Sequence, residues 1–307
     1  MTKPDGTPYA VFTPFYRAWS RLLAEGGPGV VVADLNAPVV EYATLRSDTV
    51  EWSDGSDVAL DLPAAGERAA WERWETFRDA ALADYATARD IPSIDGTSRL
   101  STYLRWGVLH PSQLMQDMDG SASAESYRRE LCWREFYADV LFHRPESAWH
   151  NLDRRFDRME LDTDASARER FERWQAGRTG FPIVDAGMRQ LAATGWMHNR
   201  VRMITASFLV KDLHLPWQWG ARHFMDHLVA GDLTSNNHGW QWVAGCGTDA
   251  APYHRILNPT LQGERFDPAG EYQQQWIEEW PLTEPPMVDH AVERVEALRR
   301  RSALSVA

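Results

Sequence analysis

Glu130, Trp133, Arg134 and Tyr137 stand at positions i, i+3, i+4 and i+7. A helix over this stretch puts Glu130, Trp133 and Tyr137 on one stripe with Arg134 beside it. A carboxyl and an indole on one face can hydrogen-bond and stack on a planar base turned out of a duplex. The same spacing also suits a half-buried packing stripe with a charged flank, and periodicity alone favours that simpler use. A second group is Thr97-Ser98-Arg99-Leu100-Ser101. Hydroxyl-bearing residues at a helix start can cradle a phosphate, because the free backbone N–H groups and the helix dipole favour an anion there, although an ordinary N-cap uses the same residues. A third group, Trp196-Met197-His198-Asn199-Arg200-Val201-Arg202-Met203, joins two arginines to a histidine that also reads as a cap or core residue.

These residues need a helical frame, and the pattern predicts one. Residues 1 to 62 carry many turn formers, among them Pro4, Gly6, Pro14, Gly26, Gly27, Pro28, Gly29, Pro38 and Gly55, around one short helix near Phe15 to Ala24. From Glu67 onward Trp71, Trp74, Phe77, Ala81, Leu82 and Tyr85 recur at helical steps, and no alternating strand pattern follows. Thr97 or Ser98 is expected to cap a helix through Leu104, and Ser126 to open one over Tyr127 to Phe142. Phe181-Pro182 places proline in the first turn of Ile183 to Ala193; Asn199 to Leu213 continues as another helix, and His290 to Arg301 reads as an exposed terminal helix. The expected fold class is therefore mostly α.

The 44 acidic side chains against 32 basic ones give a net charge of −12, and only Lys3 and Lys211 are lysines. This excludes a uniformly basic nucleic-acid binder: any such site must be a local arginine cluster, with affinity that falls as salt rises. Cys132 and Cys246 stand far apart with no metal-ligand spacing, no apolar run is long enough to span a bilayer, and the N-terminus has no secretory pattern, so a soluble, reducing, cytoplasmic setting is expected, with no metal. Most of the 15 tryptophans must serve packing; a minority can act as stacking platforms or redox relays.

The three groups above recur with Gly231-Asp232-Leu233, Asn236-Asn237, Trp240-Gln241-Trp242, the block from Gly247 to Tyr253, and Asn258-Pro259-Thr260-Leu261-Gln262-Gly263. In this order and spacing they resemble the photolyase/cryptochrome family over roughly residues 67 to 281, and Val11-Phe12-Thr13-Pro14-Phe15 resembles the family's interdomain linker. The resemblance is to class I-type cyclobutane-dimer photolyases without the N-terminal antenna domain. It implies a helical FAD-binding domain over 67–285, a linker-like segment over 1–66 and a C-terminal helix and tail over 286–307. It further implies that Tyr85, Thr97, Ser98, Arg99, Leu100, Ser101, Tyr127, Arg202, Gly231, Asp232 and Asn236 hold the flavin, with Asn236 at its N5 edge. By the same token Glu130, Trp133, Arg134, Tyr137, Asn199, Arg200, Met203, Trp242 and Gln262 would meet UV-damaged DNA, Glu130 and Trp133 acting on the lesion itself. Trp240 and Trp217 would relay electrons.

The implied activity is light-driven repair of pyrimidine dimers by a monomer carrying reduced FAD and no antenna chromophore. The alternatives are a cryptochrome-like blue-light receptor, against which Asn236, Glu130 and Trp133 count, and a truncated inactive homologue. Two departures stand out. The family's Asp-Gly-Asp reads Ala230-Gly231-Asp232, removing the carboxylate expected beside Arg202, and the distal tryptophan position falls near Leu161 or Asp164, with Trp174 and Trp219 as conceivable substitutes.

Overall fold

The computed structural model describes residues 1–26, 60, 62–249 and 255–304. Among these, chain order gives α1 (Phe12–Ala24), α2 (Glu67–Ala80), α3 (Tyr85–Ala88), α4 (Ser101–Arg105), α5 (Pro111–Gln116), α6 (Ala122–His143) and α7 (Ala165–Gln175). They are followed by α8 (Pro182–Thr194), α9 (Asn199–Ser207), α10 (Trp217–His227), α11 (Leu233–Ala244), α12 (Pro259–Phe266), α13 (Glu271–Trp276) and α14 (His290–Ala303). The only β feature among the described residues is an isolated bridge between Thr2 and Pro8, so the mostly α fold class holds. No helix among them is long and apolar enough to cross a membrane. The turn formers from Gly27 to Gly55 and the residues Ala250 to Tyr253 of the Gly247 block lie outside the described residues.

Short polar side chains set five of the helix starts among the described residues. Ser121, Asp164, Asp232, Asn258 and Asp289 accept backbone N–H groups at the starts of α6, α7, α11, α12 and α14, and prolines occupy the first turns of α8 and α12. Three hydrophobic clusters result. One joins Trp74, Phe77, Tyr85, Leu104 and Leu131; a second joins Phe12, Phe15, Trp19, Phe136 and Val140; the largest is built on Trp174, Ile183, Leu191, Val201, Phe208, Phe224 and Trp240. Helix α6 contributes to the first two clusters, which leaves its remaining stripe to face elsewhere.

Three local expectations change. Helix α6 opens at Ala122, because Ser121 rather than Ser126 accepts the Ala124 N–H at 3.2 Å. Thr97 and Ser98 do not cap a helix: Arg99 sits in the left-handed region at φ 54°, which interrupts helical geometry, and α4 begins only at Ser101. The α9 helix widens after Ser207 into a π turn over Phe208–Asp212, with Leu213 N–H donating to Phe208 O at 3.0 Å. The terminal helix α14 is largely exposed, as expected, but one side of it is anchored. It is fastened to that π turn and its neighbours by His290 to the buried Asp212, by Glu293 to His214 at 2.7 Å and by Arg300 to Asp162 at 2.7 Å, with Ala297 buried beneath it.

Candidate functional site

A cavity of about 460 Å³ opens between α6, α9 and α11. Glu130, Trp133, Arg134 and Tyr137 form one wall, Asn199, Arg200, Arg202 and Met203 a second, and Asp232, Asn236, Trp240 and Trp242 a third; Ala230 and Arg89 complete the lining. Residues separated by more than a hundred positions are thus brought together by helix packing, at a size suited to a small organic ligand.

The α6 stripe keeps the spacing expected of it. Trp133 lies flat on Phe12, with ring centroids 3.8 Å apart and planes 4° from parallel, so one indole face is backed by protein while the ring still borders the cavity. Glu130 is held by the Arg89 guanidinium at 2.8 Å, and Arg134 donates to Leu104 O at 3.2 Å. Tyr137 stacks on the His238 ring, and burial pushes its phenol well above the usual range, keeping it a neutral hydroxyl. Arg89 and Phe12 were not legible as site residues, since only tertiary packing gives them their partners.

On the opposite wall Asp232 caps α11, accepting from Ser235 N–H at 2.8 Å and from the Thr234 hydroxyl. Burial alone would raise its carboxyl, yet these hydrogen bonds and the Arg134 charge hold it below the usual carboxylate range. Asn236 spends its amide nitrogen on Ala221 O at 2.9 Å and Asn237 Oδ1 at 3.0 Å, which leaves its carbonyl end for a ligand. Arg89, Arg134 and Arg200 each have a carboxylate, respectively Glu130, Glu135 and Asp90, the last at 2.6 Å. Arg202 has none among the described residues: its Nε donates to Met197 O at 2.8 Å, and burial lowers its pKa to about 10. Packed on every side but the cavity, it is a cation awaiting an anion. His198 is the cap of α9, accepting from Arg200 N–H at 3.2 Å, and burial lowers its pKa to about 4, so it remains neutral.

The remaining predicted flavin residues do not line this cavity. The Thr97–Ser101 loop is a separate turn pinned by Arg73, whose Nε reaches Ser98 O at 2.8 Å and whose Nη2 reaches Thr97 O at 2.9 Å, while both Nη atoms grip Asp95. Tyr127 donates to Ser98 Oγ at 2.9 Å and packs edge-on against Tyr85; Leu100 is buried and Ser101 exposed. Arg99 lies over the Trp196 ring, 4.5 Å from its centre, on the wall of a different recess. Gly231 is tied through its carbonyl to Arg105 Nε at 2.6 Å, linking this loop's helix α4 to the approach of α11. Gln262 sits on α12, away from the cavity wall.

The tryptophans fall into two groups by contact. Trp240 packs edge-on against Trp174 with centroids 6.1 Å apart, and Gly220 makes this possible, since a Cβ there would lie 2.2 Å from the Trp240 ring. Trp174 stacks on Phe171 at 5.7 Å, and Phe171 touches Trp219 at 5.4 Å. Trp217 instead bonds Asn151 Oδ1 at 2.8 Å and shares a recess with Leu161.

With this geometry established, likeness to known proteins is informative. Residues 127–302 match the family model described as the FAD binding domain of DNA photolyase. The chain is 44% identical to the deoxyribodipyrimidine photo-lyase of Escherichia coli strain K12, over 88% of this chain and 58% of that protein, so it spans somewhat more than half of that relative's length. It is 38% identical to the enzyme of the same name from Alkalihalophilus pseudofirmus, over 97% of this chain and 68% of that protein. A crystal structure of a bacterial class III photolyase from Agrobacterium tumefaciens superposes with a TM-score of 0.82 at 35% identity, covering all of this chain and 71% of the other. A family match over more than half of the chain, and relatives above 30% identity over nearly all of it, lead to one conclusion: this chain belongs to the photolyase/cryptochrome family and comprises its helical FAD-binding domain.

Proposed function

We propose that this chain binds FAD and carries out light-driven repair of cyclobutane pyrimidine dimers in DNA, acting as a class I-type deoxyribodipyrimidine photo-lyase. The single observation that carries this reading is the convergence of Glu130, Trp133, Arg202 and Asn236 on one cavity. The lining fits a reduced flavin: Arg202 is a cation without a carboxylate, and Asn236 has a free carbonyl end. When bound, the cofactor supplies the light absorption and the electron. The chain's own residues do the rest. Trp133, backed by Phe12, stacks on an extruded base; Glu130, oriented by Arg89, hydrogen-bonds its edge; Asn199, Arg200, Met203 and Trp242 border the same opening toward DNA. The Thr97–Ser101 loop, with Tyr85 and Tyr127 behind it, would hold the pyrophosphate with its backbone N–H groups.

Purification of the chain, its flavin spectrum before and after denaturation, and a light-dependent assay on an oligonucleotide with one thymine dimer test this directly. Released noncovalent FAD together with light-dependent restoration is expected. No flavin uptake on reconstitution removes the cofactor reading; flavin with no repair by the chemically reduced protein leaves a receptor-like protein instead.

A further inference from the structure

Behind the α9 wall lies a smaller chamber of about 70 Å³, which shares Arg200, Met203, Trp242 and Val243 with the main cavity. A water-sized group needs only about 10–15 Å³ of such space, so the chamber has room for a tetrahedral oxyanion. Its remaining wall carries Lys211, Arg255 and Arg301, and among the described residues no acidic side chain lines it. Lys211 belongs to the π turn, is 5% exposed, and spends its ammonium on a neutral acceptor, Arg255 O. Arg301 reaches in from α14 with its guanidinium over the Phe156 ring, 4.8 Å from the centre. Neither forms an ion pair among the described residues.

The nearby carboxylates are hydrogen-bonded to other groups, Asp212 to His290, Asp90 to Arg200 and Asp153 to Arg155; Asp212 and Asp153 still attract Lys211 and Arg301 through space, but neither lines the chamber. A buried ammonium whose hydrogen bond goes to a carbonyl is costly, and the Arg255 charge beside Lys211 raises that cost, while the half-buried Arg301 adds a further positive charge to the same chamber. Burial already lowers the Lys211 pKa to about 8, so the ammonium is retained at neutral pH, though weakly. An anion between the two cations relieves both.

We infer that this chamber is an oxyanion site in which Lys211 and Arg301 bind a phosphate group next to the main cavity. The inference rests on the charges of the chamber and not on the repair reading. The phosphate has two possible sources, a phosphodiester of a DNA strand lying across Arg200 or a free phosphate ion.

The test uses the flavin-loaded chain and inorganic phosphate, titrated calorimetrically against sodium chloride of equal ionic strength. Phosphate should bind where chloride does not, and Lys211→Met and Arg301→Gln should each weaken it about tenfold or more, the scale of one lost hydrogen bond from a charged group. Arg301→Lys should restore part of the loss, which a merely structural effect would not. Displacement of phosphate by a dimer-containing oligonucleotide, with a salt dependence of DNA binding that drops by about one in Lys211→Met, assigns the site to a backbone phosphate. Undisturbed phosphate and an unchanged slope assign it to the free ion. Parent protein that binds phosphate no better than chloride, or a Lys211→Met protein that binds it as tightly as the parent, overturns the inference. Flavin content and repair measured on the same preparations separate that failure from failure of the repair reading.

Discussion

Helix α6 and the stretch from α9 through the π turn face each other across the site, yet they balance charge in opposite ways. On α6, Glu130 has Arg89, Arg134 has Glu135 and Arg128 has Glu125. On the other side the half-buried Arg202, and the buried Lys211 in the chamber behind it, have the backbone carbonyls of Met197 and Arg255 as partners. On the cavity face of α6 Glu130 and Arg134 have charged partners within the protein, whereas Arg202 across from them has none among the described residues. Partners already present serve geometry, holding Glu130 and Trp133 for recognition. A missing partner serves binding, because the ligand itself must supply the charge.

The sharpest way to break this contrast is Arg202→Met. Removing the unpaired charge should weaken retention of reduced flavin by about 2–5 kcal/mol, the cost of truncating one member of a buried charge pair. The flavin-free protein should melt at a higher temperature, since it no longer buries an uncompensated guanidinium. A variant that keeps flavin as tightly as the parent would show that Arg202 does not meet the ligand.

On the α6 side the expected loss is smaller and confined to DNA. Trp133→Ala should weaken binding to a dimer-containing oligonucleotide by about 1–3 kcal/mol, the value of one base–aromatic stack, without releasing flavin. Glu130→Ala should lower repair yield more than affinity, as its hydrogen bonds orient the reacting bases. Parent-like repair by both variants would make the stripe a packing feature, the alternative its spacing left open.

Ala230→Asp sharpens the contrast from the other direction. Ala230 lines the cavity with Arg202, and a carboxylate there would give the guanidinium an internal partner. The flavin-free protein should gain up to about 1 kcal/mol in stability, as for a partly solvated pair. Its hold on an anionic ligand should slacken, which a shift in flavin redox potential would report. An unchanged potential would place the two side chains too far apart to interact.

Much of this was legible in the sequence where the information is local. The α6 stripe follows from spacing alone and the Pro182 helix start from proline's fixed φ, whereas the missing counterion of Arg202 shows only through the family resemblance, which implies a carboxylate where Ala230 stands. What was not legible depends on tertiary choice. Ser121 and Ser126 both suit a cap, and packing of Ser123 and Ala124 against the earlier helices selects the first. The turn at Arg99 depends on Arg73, far upstream, gripping the carbonyls of Thr97 and Ser98. Neither the π turn nor the clasp of α14 leaves a periodic signature, because one extra residue in a turn and two histidine–carboxylate pairs are invisible to a helical pattern.

The tryptophans allow the smallest and most discriminating prediction. Photoreduction needs an electron path from solvent to the cavity, and the vacancy left on Trp240 must be refilled before it recombines. The family resemblance points to Trp217 for that step, but among the described residues the tryptophan ring in contact with Trp240 is Trp174, and the next tryptophan outward is Trp219 beneath Arg168, with the Phe171 ring between them as a tunnelling bridge that does not itself hold the vacancy. Trp217 bonds Asn151 and shares its recess with Leu161 and Phe156, neither of which a tryptophan radical can oxidise. Trp174→Phe should therefore slow photoreduction several-fold, Trp219→Phe somewhat less, and Trp217→Phe least, with repair by chemically reduced protein unchanged in all three. Leu161→Trp should open the second route and raise the rate. Time-resolved absorption of the tryptophan radical decides between them: loss of the signal in Trp217→Phe but not in Trp174→Phe would mean that the family resemblance, and not the ring contact, identifies the path.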